Sequence, residues 1–107
     1  MRARLLCKLG EMKGTEFDID TEATIGRSRD NSIVLQARSV SSEHARIFSD
    51  DEAGHFVLED LGSRNGTQLD GKTLRGRQAL GGLHVVNFGR SADFVFVVVR
   101  PREPDSS

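Results

Sequence analysis

Residues 54 to 89 read GHFVLEDLGSRNGTQLDGKTLRGRQALGGLHVVNFG, with glycine at 54, 62, 66, 71, 76, 81, 82 and 89. The intervals between these glycines are too short for helices of ordinary length, since each glycine weakens a helix and signals a turn. What remains between them reads as strands: Phe56 to Leu61, Gln68-Leu69, Thr73-Leu74 and Leu83 to Phe88. Outward from this segment the same two-residue period holds. Leu5, Cys7 and Leu9 alternate with Leu6 and Lys8, and Phe17 and Ile19 alternate with Asp18 and Asp20. Thr24-Ile25, Ile33-Val34-Leu35, Ala45 to Phe48 and Phe94 to Arg100 bring the count to about ten short strands. The run Phe94 to Val99 is apolar on both faces, which predicts a strand covered on both sides. The longest glycine-free stretch, Arg27 to Ala53, is the one place for a helix, opening at Ser42-Glu43-His44-Ala45-Arg46. Its Ser, Asp and Asn favour turns, and its apolar residues are grouped rather than spaced three and four apart, so the helix ranks second. The expected architecture is an all-β sandwich of two sheets joined by polar loops.

Composition narrows the function. A chain of 107 residues fits one domain with one core, which excludes an enzyme with a separate substrate domain. Fifteen Lys plus Arg against 16 Asp plus Glu give a net charge of −1, so no general basic field exists to coat nucleic acid or a membrane, and neither is expected as a partner. Cys7 is the single cysteine and reads as a small buried apolar residue. No Cys or His pair has metal-ligand spacing, so no metal and no cofactor is expected. Leu5-Leu6-Cys7 is broken by Lys8, too short for a signal or a span, which points to a cytoplasmic monomer. Residues 1–100 form the expected domain, and 101–107 read as a flexible tail or truncated linker. Twelve of the 15 basic residues are Arg, the side chain suited to bidentate pairing with carboxylate or phosphate; host bias accounts for most of them, and position must single out the rest.

Three loops carry groups that suit an anion. They are Ile25-Gly26-Arg27-Ser28-Arg29-Asp30-Asn31, Arg38-Ser39-Val40-Ser41-Ser42-Glu43-His44, and Gly62-Ser63-Arg64-Asn65-Gly66-Thr67, whose Asn-Gly requests a tight turn of positive φ. An Arg fork, Ser hydroxyls and turn N–H groups are the donor set for clustered phosphate oxygens.

In this order the segments resemble the forkhead-associated (FHA) domain, a phosphothreonine-recognition module. The matching text is Thr24-Ile-Gly-Arg27-Ser, Asn31-Ser-Ile-Val-Leu35, Ser39-Val-Ser41-Ser-Glu-His44-Ala-Arg-Ile47, and Leu58-Glu-Asp-Leu-Gly-Ser-Arg-Asn65-Gly66-Thr67 with Leu69-Asp-Gly71. The likeness runs from about Arg4 to Arg100. It implies an eleven-stranded sandwich with binding loops at one end, no catalysis, and a phosphothreonine-bearing protein partner marked by an upstream Ser/Thr kinase. By this resemblance Arg27 is the charged partner of the phosphate, the Ser41 hydroxyl and Ser42 N–H donate to it, and Arg64 adds positive potential. Asn65 would hold the peptide main chain. Gly26 and Gly66 would permit turns, and His44 would brace the loops. Arg29, Arg38 and Ser39 are the candidates for specificity, with an acidic peptide residue favoured about three places after the phosphothreonine. Two departures stand out: Ser42 occupies a position that is often basic in the family, and Gly82-Leu83-His84 stands where Gly-Asp is often found.

Other readings rank lower. Gly66-Thr-Gln-Leu-Asp-Gly71-Lys72-Thr73 fits the nucleotide-binding expression G-x-x-x-x-G-K-[ST], but Gly76, Gly81 and Gly82 leave no helix to open toward a phosphate, and Asp70 would repel one. A hydrolase triad of Ser41, His44 and Asp60 lacks visible geometry. His55 and His84 are isolated. Asn65-Gly66-Thr67 fits a glycosylation acceptor, relevant only to a secreted protein. Thr15 and Thr21 are surface candidates for modification and capture by a second copy. Within binding, the neutral Ser42 keeps open a phosphate-independent assembly or autoregulatory role.

Overall fold

The computed structural model describes residues 2–99; Arg100 and the 101–107 tail lie outside the described residues. Eleven strands and no helix occur among them. They are β1 (Arg2–Leu9), β2 (Glu16–Ile19), β3 (Glu22–Gly26), β4 (Ile33–Val34), β5 (Ala45–Asp50), β6 (His55–Asp60), β7 (Thr67–Leu69), β8 (Lys72–Thr73), β9 (Arg77–Leu80), β10 (Leu83–Phe88) and β11 (Ala92–Val99). A six-stranded sheet runs β2-β1-β11-β10-β7-β8 and a five-stranded sheet β4-β3-β5-β6-β9. All neighbours are antiparallel except β3 and β4, which pair in parallel at Ile25 with Ile33 and Gly26 with Val34.

The alternation seen in sequence is the alternation of burial. Ala3, Leu5 and Cys7 of β1 turn inward, as do Ala92, Phe94 and Phe96 of β11 and Ile47 and Ala45 of β5. Phe56 of one sheet meets Phe96 of the other edge-on at 5.8 Å, and Phe88 meets Phe94 at 5.5 Å. Such aromatic pairs supply large buried area with a defined geometry, which suits a core with no Trp or Tyr.

The structure adds one strand, corrects one expectation and decides between two readings of a third segment. The strand Arg77-Gln78-Ala79-Leu80 has no β-branched residue and buries only Leu80, so its pattern is silent; pairing with β6 at Phe56–Leu80 through Glu59–Arg77 makes it a strand. The run Phe94 to Val99 is not covered on both sides. Val95, Val97 and Val99 are only half-buried because lateral neighbours such as Leu6 and Val85 shield them, with nothing among the described residues stacked above. The second-ranked helix at Ser42 to Arg46 does not form: the chain bends at Ser42 and Glu43, and Ala45 and Arg46 already belong to β5, as the strand reading of Ala45 to Phe48 expects.

Strand register also fixes the polarity of the molecule. Arg2 pairs with Val99, so β1 begins where β11 ends. The β10–β11 turn lies at the opposite end, where the Gly89 N–H donates to the Gly66 carbonyl. The three loops rich in anion donors gather at that end, away from Arg2 and Val99.

Candidate functional site

β3 delivers Arg27 to the site. Its backbone N–H donates to the Ser41 carbonyl at 2.9 Å, and the next N–H, of Ser28, donates to the Ser42 carbonyl at 3.1 Å. The Arg27 Nε donates to the Val40 carbonyl at 3.1 Å. These bonds hold the guanidinium against the 39–42 segment while its terminal nitrogens meet no carboxylate at ion-pair distance among the described residues. Gly26 sits where that segment crosses β3. A Cβ there would fall 2.2 Å from the Ser42 carbonyl oxygen, and its φ is not positive. Gly26 therefore serves close approach of two backbones rather than a turn, whereas Gly66, at φ +84°, does serve a turn.

Ser41 is fixed from three directions. Its Oγ accepts the Arg64 N–H at 2.9 Å, its N–H donates to His44 Nδ1 at 3.1 Å, and its carbonyl takes the Arg27 N–H. With its oxygen accepting from Arg64, the Ser41 hydroxyl proton remains to be donated outward. Because His44 Nδ1 accepts, the ring proton lies on Nε2, which donates to the Gly66 carbonyl at 2.8 Å. His44 is fully buried and stands edge-on to Phe88 at 5.9 Å. It thus ties the Ser41 loop to the Asn65-Gly66 turn from within the core. Ser42 is exposed; its carbonyl takes the Asn31 Nδ2 at 2.8 Å, and no described residue accepts from its N–H.

Asn65 is exposed and donates through Nδ2 to the Ser39 carbonyl at 2.8 Å, while its Oδ1 and second amide proton have no partner among the described residues. The same Ser39 carbonyl lies against Gly89, where a Cβ would come within 2.5 Å of it, and the Ser39 hydroxyl bonds the Ser91 hydroxyl. Ser39 therefore braces two loops. Arg29, Arg38 and Arg64 are exposed at the same end, and none meets a carboxylate among the described residues.

Asp60, weighed from the sequence only as a member of a hydrolase triad, has a supporting role that sequence reasoning missed. Its Oδ1 accepts from the Ser63 and Thr67 hydroxyls at 2.6 and 2.8 Å, and its Oδ2 from the Gly62 and Ser63 N–H groups at 3.0 Å each. Burial alone would raise its pKa, but these hydrogen bonds outweigh it and hold the carboxyl below the ordinary range. Asp60 shapes the loop that presents Arg64 and Asn65. The signal was present as an Asp two and three residues ahead of Gly-Ser, the pattern of a carboxylate closing a turn on its own backbone.

The same geometry disposes of the enzymatic arrangements. His44 engages the backbone N–H of Ser41 rather than its Oγ, and Asp60 is spent on Ser63 and Thr67, so no proton relay is assembled. Gly66 to Thr73 spans β7, a two-residue turn at Asp70 and Gly71 with φ of +52° and +84°, and β8. That is a hairpin of the mirror-image type, without a helix terminus to face a nucleotide. Among the described residues no three His, Cys, Asp or Glu side chains are grouped to hold a metal ion, and no helix is long and apolar enough to cross a membrane.

Comparison with known proteins places this arrangement. An FHA domain-containing protein of Arabidopsis thaliana is 39% identical over 74 residues, covering 66% of this chain and 19% of its own length. The chain spans less than half the length of the curated relatives it matches. Among solved structures, the FHA domain of the CT664 protein from Chlamydia trachomatis superposes with a TM-score of 0.81 at 29% identity, covering 94% of this chain and 100% of that one. Mycobacterium tuberculosis EmbR, solved in complex with a low-affinity phosphopeptide, gives a TM-score of 0.81 at 25% identity, covering 96% of this chain and 26% of that one. The family model for the FHA domain matches residues 23–89, more than half of the chain and all three loops, and the chain belongs to the FHA domain family.

Proposed function

We propose that this domain is a non-catalytic, phosphothreonine-dependent protein-binding module of cytoplasmic Ser/Thr-kinase signalling. Arg27 and Ser41 grip the phosphate, the Ser42 N–H and Arg64 assist, and Asn65 holds the peptide main chain. The observation that carries this reading is the Arg27 guanidinium, anchored through Nε to the Val40 carbonyl and without a carboxylate partner among the described residues, on the same segment as a Ser41 hydroxyl whose proton is free to donate. A phosphate near pH 7 carries about −1.5 to −2 charge, so one fork of charged donors and a few neutral ones can hold it in a protein of net charge −1. The EmbR complex supports the assignment, since a phosphopeptide occupies a protein of the same fold. Arg38, beside the braced Ser39, is the candidate to favour an acidic residue after the phosphothreonine.

The test is the affinity of a phosphothreonine peptide and its unphosphorylated twin, measured by fluorescence anisotropy. The phosphorylated peptide is expected to bind, its twin not, and Arg27→Ala to lose the difference while the domain still melts cooperatively. Equal binding of the two peptides would overturn the reading in favour of phosphate-independent assembly.

A further inference from the structure

Beside the phosphate grip the molecule has a cleft of about 210 Å³ lined by Thr24, Ser28, Asp30, Asn31, Glu43 and Leu61. Its walls continue the grip: Ser28 follows Arg27 in the chain, and Glu43 follows Ser42. The floor is rigid, because Asn31 donates both Nδ2 protons, to the Ser28 carbonyl at 2.9 Å and the Ser42 carbonyl at 2.8 Å. Leu61 is set beside Glu43 by its N–H bond to the His44 carbonyl, and it stays 41% exposed. With the Asn31 protons spent, the cleft offers the Leu61 side chain, the hydroxyls of Thr24 and Ser28, and the two carboxylates of Asp30 and Glu43. Neither Asp30 nor Glu43 has an ion-pair partner among the described residues, although most carboxylates on the strand faces near Arg2, Arg4 and Arg46 do. Leaving two carboxylates unpaired next to a phosphate site weakens phosphate attraction unless a cation joins them in the complex.

We propose that this cleft takes a lysine or arginine side chain of the bound phosphopeptide, its aliphatic stem on Leu61 and its charged head between Asp30 and Glu43. A long basic side chain is the ligand that satisfies both halves of the wall, an apolar stem surface and a rim carrying two carboxylates. Because Ser28 follows Arg27 and Glu43 follows Ser42, the basic residue lies close to the phosphothreonine along the peptide. The domain thereby reads a pair of opposite charges at fixed separation. This inference rests on the phosphothreonine reading above.

The experiment uses phosphothreonine peptides in which each flanking position in turn is lysine, alanine or glutamate, each with its unphosphorylated twin, titrated against the wild-type domain and the Asp30→Asn/Glu43→Gln variant. At one position wild type should prefer lysine over alanine by about fivefold, and the variant should reduce that ratio to near one while binding the alanine peptide at least as tightly. Phosphate dependence without a lysine preference at any position overturns the cleft alone. A lysine preference of the same size at every position, or one that survives in the variant, also overturns it, the first because it reports a diffuse field. Equal affinity for the phosphorylated and unphosphorylated alanine peptides overturns the phosphate reading and this inference with it. Unchanged thermal melting of the variant shows that a loss is not a loss of fold.

Discussion

The arginines of the strand faces and the arginines of the loops are the same residue in two conditions. On the faces, Arg4 stands opposite Asp18 in the β1–β2 register and bonds it at 3.1 Å, while Arg46 stands opposite Glu59 at 2.6 Å and Arg77 reaches the other Glu59 oxygen at 3.1 Å. Arg46 also reaches Glu22 and lies 4.3 Å over the Phe48 ring. At the loop end, Arg27, Arg29, Arg38 and Arg64 meet no carboxylate among the described residues. The lesson is that partner geometry separates a charge that stitches strands from one left without a carboxylate among the described residues. Abundance of arginine carries no such information. Host bias, the explanation that composition favours for most of these side chains, is not needed for those that form cross-strand ladders.

The largest effect expected from breaking this contrast is on binding. Arg27→Ala should cost about 3 kcal/mol or more of phosphopeptide affinity, read by anisotropy, with little change in melting temperature. Next is the residue that joins core to loops. His44→Ala leaves the Ser41 N–H and the Gly66 carbonyl without their partner and should cost about 1–3 kcal/mol of stability in urea unfolding, with weakened peptide binding as a second readout. A smaller effect belongs to the strand face. Arg46→Ala should lower stability by about 1 kcal/mol or less and leave peptide affinity unchanged; a loss of affinity would erase the distinction between the two sets of arginines.

The smallest effect concerns pH. Asp60, by the balance already described, Glu59, through its hydrogen bond from Arg46, and Asp70, through its bond with His84, all sit below their ordinary carboxyl values. The unfolded chain therefore takes up protons before the folded one. The stability these groups contribute is complete above the ordinary values of 3.8 for Asp and 4.5 for Glu and is lost as pH falls through the lower folded values. Melting temperature followed by circular dichroism should hold steady from neutrality to about pH 5 and then decline, and Asp60→Asn should make the decline shallower.

Much of the fold was legible because a strand advertises itself locally. Side chains alternate every second residue, so Leu5 and Cys7 announced both their strand and its inward face, whereas Phe94 to Val99, apolar on both faces, announced a strand without saying which face is inward. Arg77 to Leu80 did not, since an exposed edge strand with one buried residue has nothing to alternate. The candidate site was legible as loop text, with Arg27, Ser41, Ser42, Arg64 and Asn65 brought to one end of the sandwich. Less of its support was. Asp60 entered only as part of a rejected triad, and Gly26 was taken for a turn residue because a sequence does not display the backbone that crosses it at Ser42.

By itself the sequence determined the period of the strands, the positions of the turns and the order of the loop motifs, because each depends on residues a few places apart. Tertiary structure alone decided which arginines are paired, which proton His44 carries, and that the Ser39 and Ser91 hydroxyls, 52 residues apart, lock two loops together. It also decided that Asp30, Glu43 and Leu61 share one cleft. Those are properties of contacts between distant segments, and only the packing of two sheets brings such segments within the few ångströms over which hydrogen bonds and ion pairs act.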